Sequence, residues 1–153
     1  MKHMRFLPFT IHFSLFTIFL SGCGEATPPG MPQLFPVSIT ITMDGNPLEG
    51  ALVSCVPEDG SQWFAGGITD AAGKVALQTK GRYNGIAVGT FKVAVIKNML
   101  SPDSTESETK QLRIVDKRFN ETSTSPLSLV VDKTTKSAEL QVEPAPKNDF
   151  IVD

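Results

Sequence analysis

The chain has 153 residues, of which 41% are hydrophobic and 20% are charged, and its formal net charge is −2. This length accommodates one domain of ordinary size with short flanking segments. The 12 glycines and 11 prolines indicate a globular chain that is rich in turns. Because a nucleic-acid-binding protein needs clustered Lys and Arg to replace phosphate counterions, this mild acidity argues against nucleic acid as a partner.

The first residues have the composition of a secretory signal. Lys2 and Arg5 are the only charged residues before Glu25, and an apolar run extends over residues 6–20. That run is shorter than the roughly 20 apolar residues that a helix needs to cross a bilayer. A basic start, a short apolar core and small residues after it predict a signal peptide over residues 1–22.

The small residues that follow the apolar run end in a cysteine. Leu20, Ser21, Gly22 and Cys23 resemble the lipobox of bacterial lipoproteins, which is an aliphatic residue, two small residues and an obligatory cysteine. The resemblance implies cleavage before Cys23 and acylation of Cys23 with fatty acids such as palmitate, which anchors the protein to a membrane of the cell envelope. Gly24 stands where retained lipoproteins carry Asp, which favours the outer membrane. Ordinary signal cleavage and an uncleaved anchor helix are the alternatives.

The mature chain would contain no histidine, because His3 and His12 both lie in the signal. Histidine is the usual general base near neutral pH and the commonest metal ligand. Its loss excludes Ser-His-Asp and Cys-His sites and the usual zinc sites, so we predict no enzyme activity, no cofactor and no metal. Once Cys23 carries lipid, Cys55 is the remaining thiol, and its apolar neighbours predict a buried, inert side chain.

The predicted elements are all strands. Residues 23–36 are rich in Gly and Pro, which predicts an extended, unpaired tether that reaches roughly 40 Å. Alternation with a period of two begins at residue 37, and Gly66 with Gly67 weakens one strand or marks a bulge. About seven strands at this spacing predict an all-β sandwich. The predicted strands are residues 37–43, 51–56, 63–69, 74–79, 91–95, 127–131 and 138–142.

Two segments lack this alternation. Residues 98–124 predict a long, partly disordered loop, because residues 101–110 are almost entirely polar. A short extended piece is expected over residues 111–115. Residues 144–153 predict a flexible, unpaired tail, so the sandwich domain is expected over residues 37–143.

Three stretches resemble one family of domains. Residues 44–53 (DGNPLEGALV), 69–77 (TDAAGKVAL) and 89–95 (GTFKVAV) are similar to the opening, a hairpin and a core strand of carboxypeptidase regulatory-like domains. The resemblance implies a transthyretin-like, Ig-like Greek-key sandwich with an accessory role and no catalytic residues. It also implies that Gly73 adopts a positive φ and that Asp70 accepts hydrogen bonds from turn amides.

A few side chains are candidates for binding a ligand. Asp44, Asp59 and Asp70 lie at predicted turns, and their spacing favours turn formation over a calcium site. Trp63 and Tyr83 offer flat rings on which a sugar could stack. The other interpretation of Trp63 and Tyr83 is that they close one end of the core and keep their polar atoms near water.

The sequence therefore predicts a lipid-anchored protein of the cell envelope with a non-enzymatic structural or protein-interaction module. Exposed strand edges would offer backbone hydrogen bonds to a protein partner of the envelope. A carbohydrate-binding module that uses Trp63 and Tyr83, with a surface glycan as partner, is the alternative. A hydrolase without histidine stays open as a third hypothesis, because sequence alone does not place the two carboxylates that glycoside hydrolysis needs.

Overall fold

The computed structural model describes residues 27–105 and 108–151. The predicted signal peptide, the lipobox and Cys23 lie outside these residues. Within the described ranges the chain is almost entirely β-structure, with one short 3-10 helix, Lys117–Phe119. No helix in this part of the chain is both long and apolar enough to span a membrane.

The strands are short, and most run antiparallel to their neighbours. In chain order they are β1 (Leu34–Phe35), β2 (Ser38–Met43), β3 (Asn46–Pro47), β4 (Leu52–Pro57), β5 (Ala65–Ile68), β6 (Lys74–Ala76), β7 (Gln78–Thr79), β8 (Tyr83–Asn84), β9 (Ile86–Ala87), β10 (Gly89–Ile96), β11 (Asn98–Leu100), β12 (Gln111–Arg113), β13 (Ser128–Val131), β14 (Ser137–Val142) and β15 (Phe150–Ile151).

Two main sheets face each other across one core. The large sheet has the order β13-β10-β4-β5-β7-β8, and the small sheet has the order β14-β2-β3, with β6 also paired to β2. The pair β2–β14 is parallel, whereas β2–β3 and β2–β6 are antiparallel. The predicted all-β sandwich is confirmed, and its seven strands correspond to β2, β4, β5, β6 with β7, β10, β13 and β14.

The core is built from the alternating apolar residues of both sheets. Ile39 and Ile41 of β2 are 0% exposed, as are Val53 of β4 and Val93 of β10, while Phe91 is 2% exposed. Because side chains alternate across a strand, each of these residues points toward the opposite sheet. Burial of this apolar surface is the main source of stability of the fold.

The predicted strand over residues 74–79 is divided into two short strands that pair with different sheets. Its first half, β6, pairs with β2 of the small sheet, and its second half, β7, pairs with β5 of the large sheet. Leu77 lies between the two halves and is 2% exposed. The chain therefore crosses from one sheet to the other at a buried leucine, which closes this side of the sandwich.

Gly66 and Gly67 do not mark a bulge. The register of β4 with β5 is unbroken and pairs Val53 with Gly67 and Ser54 with Gly66. A Cβ atom on Gly67 would lie 2.6 Å from Val75 Cγ2, and one on Gly66 would lie 2.3 Å from the carbonyl oxygen of Val53. Close packing against neighbouring atoms, and not an extra residue in the strand, therefore explains the two glycines.

The tether, the long loop and the tail are more ordered than the sequence predicts. The tether pairs with the body of the protein at β1, which binds β9, and a turn closes at Met31, whose N–H donates to Pro28 O. Residues 98–124 contain β11, β12 and the 3-10 helix, and within them Val115 is 0% exposed. The prediction of an unpaired tail is wrong as far as residue 151, because β15 pairs with β12.

A third sheet has the order β11-β12-β15. An ion pair next to β15 holds the tail to β12 of this sheet. Arg113 Nη1 lies 2.8 Å from each carboxylate oxygen of Asp149, and the two side chains are 18% and 22% exposed. Asn120, with its amide oriented to satisfy both atoms, donates to Val95 O and accepts from Arg113 Nε, each at 3.1 Å. The network thus connects the tail, the third sheet and a core strand.

We expect Asp149→Ala to destabilise the fold by about 1–2 kcal/mol, because Arg113 would keep its charge in a partly buried place without its partner. Urea denaturation followed by circular dichroism measures this loss. Glu108→Ala is the matched control, since Glu108 pairs with Lys110 at 3.5 Å in an exposed setting. Equal stability of both variants would show that the Asp149 pair contributes no more than a surface ion pair.

Candidate functional site

A large groove lies at the end of the sandwich where the tether docks. It has a volume of about 530 Å³, and two tether residues, Gly30 and Pro32, form part of its wall. The remaining walls come from the β4–β5 connection and from the start of β10. These lining residues are Pro57, Glu58, Asp59, Ser61, Trp63, Ala87, Val88, Gly89, Thr90 and Phe91. Pairing of β1 with β9 is what brings the tether to this groove.

Trp63 lines the groove but exposes little of its ring. Its residue is 9% exposed, and Lys80 Nζ lies 4.5 Å from the ring centroid. Lys80 also donates a hydrogen bond to Gln62 Oε1 at 3.0 Å. A cation over an aromatic face is attracted by the ring quadrupole, so one face of Trp63 is covered by Lys80.

Tyr83 is not among the residues that line this groove. It lies in β8 at the edge of the large sheet, and the guanidinium carbon of Arg82 is 5.7 Å from its ring centroid. The two aromatic residues that the sequence suggests as one platform therefore have separate surroundings. Each of them has a basic side chain over its ring.

The acidic side chains beside the groove and at the predicted turns form ion pairs or hydrogen bonds with nearby groups. Glu58 lies 3.7 Å from Lys92 Nζ, and Asp59 Oδ1 accepts a hydrogen bond from Ser61 N at 2.8 Å. Asp70 Oδ1 accepts from the N–H groups of Ala72 and Lys74, both at 2.9 Å. Turn formation is thus the observed role of Asp59 and Asp70. Among the described residues, no group of three or more His, Cys, Asp or Glu side chains is placed to hold a metal ion.

A second candidate surface, which the sequence did not predict, lies on the outer face of the large sheet. Leu52, Phe64 and Ile68 are 45%, 52% and 67% exposed there. Leu52 is paired with Ile68 on one side and with Ile96 on the other, which forms an apolar row across three strands. We name Leu52, Phe64 and Ile68 the outer apolar patch. The patch borders a groove of about 440 Å³ that also exposes the backbone of Gly66.

The signal for this patch was present in residues 51–56, where apolar side chains occupy both faces of one strand. Both faces of a strand are buried only when layers cover both, and a two-layer sandwich leaves one face uncovered. Val53 and Cys55 are 0% exposed on the inner face, while Leu52 and Val56 are 45% and 40% exposed on the outer face. From this run, the sequence analysis predicted a strand and a buried Cys55, and it named no exposed apolar face.

Two adjacent strands offer unpaired edges. In the part of the chain that the structure describes, β13 pairs only with β10, and β14 pairs only with β2. The two strands follow each other in the chain, so both sheets end on the same side of the sandwich. Backbone N–H and C=O groups at such edges can accept an additional strand.

Cys55 is buried and free, as predicted. Burial raises the pKa of its thiol to about 12. We expect iodoacetamide to leave Cys55 unmodified in the folded Cys23→Ser variant at pH 8, because the thiolate is the reactive species. Mass spectrometry of the alkylated protein measures this. Guanidinium-unfolded protein serves as the positive control, and rapid modification of the folded chain would contradict the burial.

No protein-family model and no curated protein matches the chain. The resemblance of residues 44–53, 69–77 and 89–95 to carboxypeptidase regulatory-like domains therefore stays a prediction, as does the lipobox. What the geometry establishes is an all-β sandwich with a tether-lined groove at one end and an apolar patch on one outer face.

Proposed function

We propose that the protein is a lipid-anchored component of the bacterial cell envelope, on the outer membrane, whose sandwich binds another envelope protein and performs no catalysis. The lipobox over residues 20–23 supports the anchor. One acyl chain binds a bilayer only marginally, whereas two or three chains hold a protein stably. The lipid on Cys23 would therefore fix the location of the protein without a membrane-spanning segment.

The outer apolar patch carries the proposal of a protein partner. Leu52, Phe64 and Ile68 line one groove on the outer face of the large sheet, and Val56 on the same face is 40% exposed. A partner that covers such a surface gains roughly 25 cal/mol of binding free energy for each Å² of apolar area removed from water. Contiguous apolar patches on a protein surface commonly mark interaction sites. The unpaired edges of β13 and β14 offer a further route to a partner strand.

Two observations support a role without catalysis. The two histidines of the chain, His3 and His12, lie in the predicted signal. Near the large groove, the carboxylates of Glu58 and Asp59 are engaged with Lys92 and with the backbone of Ser61. An ion pair and a turn therefore account for these two carboxylates without a catalytic role.

In-cell photo-crosslinking tests the protein partner. A photoreactive amino acid at position 68 is expected to give a discrete adduct with one envelope protein. The same amino acid at position 100 is the matched control, because Leu100 is 63% exposed on β11 in the third sheet, outside the outer apolar patch, against 67% for Ile68. Adducts of equal yield at both positions, or no adduct at position 68, would contradict the assignment of the patch.

Binding of a carbohydrate is the second candidate, and the large groove is the observation that favours it. A volume of about 530 Å³ accommodates a sugar unit, and Trp63 stands beside Asp59, Ser61 and Thr90, which offer hydrogen bonds. A glycan array with the mature chain tests this function. Binding that Trp63→Ala abolishes would support the groove as a sugar site, whereas an array without binding, or binding that survives Trp63→Ala, would remove this assignment.

A further inference from the structure

We infer that the tether-docking end of the sandwich rests on the anionic phospholipid surface of the membrane that holds the anchor. This inference rests on the proposed lipid anchor at Cys23. It adds a specific orientation: one end of the domain faces the headgroups, and the outer apolar patch stays accessible to a partner. Three observations carry it, namely the length of the free tether, the distribution of charge and the position of the aromatic residues.

The free tether is short. Gly30 and Pro32 line the large groove, and β1 is paired with β9, so the chain is held to the domain from about residue 30 onward. A fully extended chain spans at most about 3.3–3.6 Å per residue, so the segment from Cys23 to Gly30 reaches at most roughly 25 Å. The domain is therefore kept close to the bilayer by the end at which the tether docks.

The same end contains the loops that follow β4 and β7 and the turn between β13 and β14. Trp63 lies in the first of these loops and shares the groove with Gly30. The turn joins this end because Ser38 N donates to Lys136 O at 3.1 Å, and Lys136 lines a further pocket with Pro36. We name this surface the tether end, formed by residues 30–36, 57–63, 80–89 and 132–136.

Charge is distributed unevenly between the two ends. In the tether end, the described basic residues outnumber the acidic ones: Lys80, Arg82, Lys133 and Lys136 against Glu58, Asp59 and Asp132. At the opposite end the acidic residues are in excess: Asp44, Glu49, Asp70, Asp103, Glu108, Asp116, Glu121, Glu143 and Asp149 against Lys74, Lys97, Lys110, Arg113, Lys117, Arg118 and Lys147. An anionic bilayer would attract the tether end and repel the other end.

The aromatic residues of this region suit a membrane surface. Lys80 lies over Trp63, and Arg82 lies over Tyr83. Tyr83 is partly exposed, and tyrosine favours the boundary between headgroups and water because it has an apolar body and a polar tip. Lys and Arg place their charge among the headgroups in the same region. The chemistry of the tether end is thus complementary to an anionic phospholipid surface.

Trp63 provides the test, because it is the only tryptophan in the chain. The lipidated protein is reconstituted into nanodiscs of phosphatidylcholine, with or without phosphatidylglycerol, that contain dansyl-labelled headgroups. We expect greater energy transfer from Trp63 to dansyl on the anionic discs than on the neutral discs. Because screening weakens charge attraction, high salt is expected to reduce this difference.

Charge reversal identifies the surface. Lys133→Glu with Lys136→Glu is expected to bring energy transfer on anionic discs down to the level of neutral discs, and it leaves Lys80 over Trp63 undisturbed. Lys74→Glu with Lys147→Glu is the matched control at the opposite end and is expected to keep the wild-type transfer. Circular dichroism verifies that both double variants are folded.

The outcomes separate this inference from the anchor on which it rests. Protein that fails to co-purify with any nanodisc would contradict the lipid anchor itself. Protein that is anchored but shows equal transfer on neutral and anionic discs would overturn the orientation and leave the anchor standing. An equal effect of the two double variants would also overturn it, because the attraction would then not belong to the tether end.

Discussion

Gly73→Ala is expected to destabilise the domain by about 2–5 kcal/mol. Gly73 has a φ of 71°, which costs an L-residue roughly 1–2 kcal/mol. An added Cβ would also lie 2.5 Å from Ile41 O and 2.9 Å from Leu48 N, both of which are backbone atoms. Since Ile41 belongs to the central strand of the small sheet, relief of this contact requires a shift of the strand, which adds about 1–3 kcal/mol.

Gly45→Ala separates these two contributions. Gly45 has a φ of 78°, and no atom lies within 4 Å of a Cβ built on it. Its replacement is expected to cost about 1 kcal/mol, from the backbone conformation alone. Urea denaturation of the mature chain, followed by the fluorescence of Trp63, measures both losses. Equal losses would show that the hairpin moves freely away from Ile41 and that the contact has no energetic weight.

Thr69→Val is expected to destabilise the domain by about 2–4 kcal/mol, although it conserves the shape of the side chain. Thr69 is 3% exposed, and its hydroxyl accepts from Ala51 N at 2.8 Å and donates to Leu48 O. Valine would leave one N–H and one C=O group buried without a partner. Each unsatisfied buried group costs about 1–3 kcal/mol.

Thr69→Ser is the matched control, because serine keeps the hydroxyl and removes only a methyl group. We expect it to lose about 1 kcal/mol. Denaturation curves of both variants and of the wild-type chain make the comparison. If Thr69→Ser were as damaging as Thr69→Val, packing of the methyl group would explain the role of Thr69, and the hydroxyl bridge would not.

Much of the sandwich could be predicted from the sequence, because one face of each main strand is buried. Ile39 and Ile41, like Phe91 and Val93, alternate with polar or exposed residues, and this period specifies a strand. The hairpin at Asp70 was predictable for a different reason. Its carboxylate satisfies turn amides locally, so its role depends on near neighbours in the chain.

The short strands at the periphery could not be predicted, because long-range pairing alone orders them. β1, β11 and β15 have two or three residues each, which is too few to display a period, whereas β12 lies within the extended piece that was expected over residues 111–115. β15 pairs with β12 across a wide gap in sequence, and its alignment depends on Arg113 and Asp149. No local pattern identifies such partners, so the tether and the tail were predicted to be unpaired and the loop was predicted to be partly disordered.

The candidate surfaces were likewise predictable where the residue type suffices and unpredictable where long-range packing decides. Trp63 was predicted as a candidate from its residue type, and it does line the large groove. The composition of that groove depends on the docked tether, which the sequence did not reveal. The outer apolar patch escaped prediction because exposure of Leu52 depends on which face of the large sheet remains uncovered. That choice is made by the packing of the whole sandwich.

The lipid on Cys23 is the central claim, and labelled palmitate tests it most directly. Cells that express the full chain, Cys23→Ala or Cys55→Ala are fed the labelled fatty acid, and the purified proteins are compared. The chain has two cysteines, so Cys55→Ala is the matched control. Label is expected in the wild-type protein and in Cys55→Ala, and none is expected in Cys23→Ala. Label that persists in Cys23→Ala, or an unlabelled wild-type protein, would contradict it.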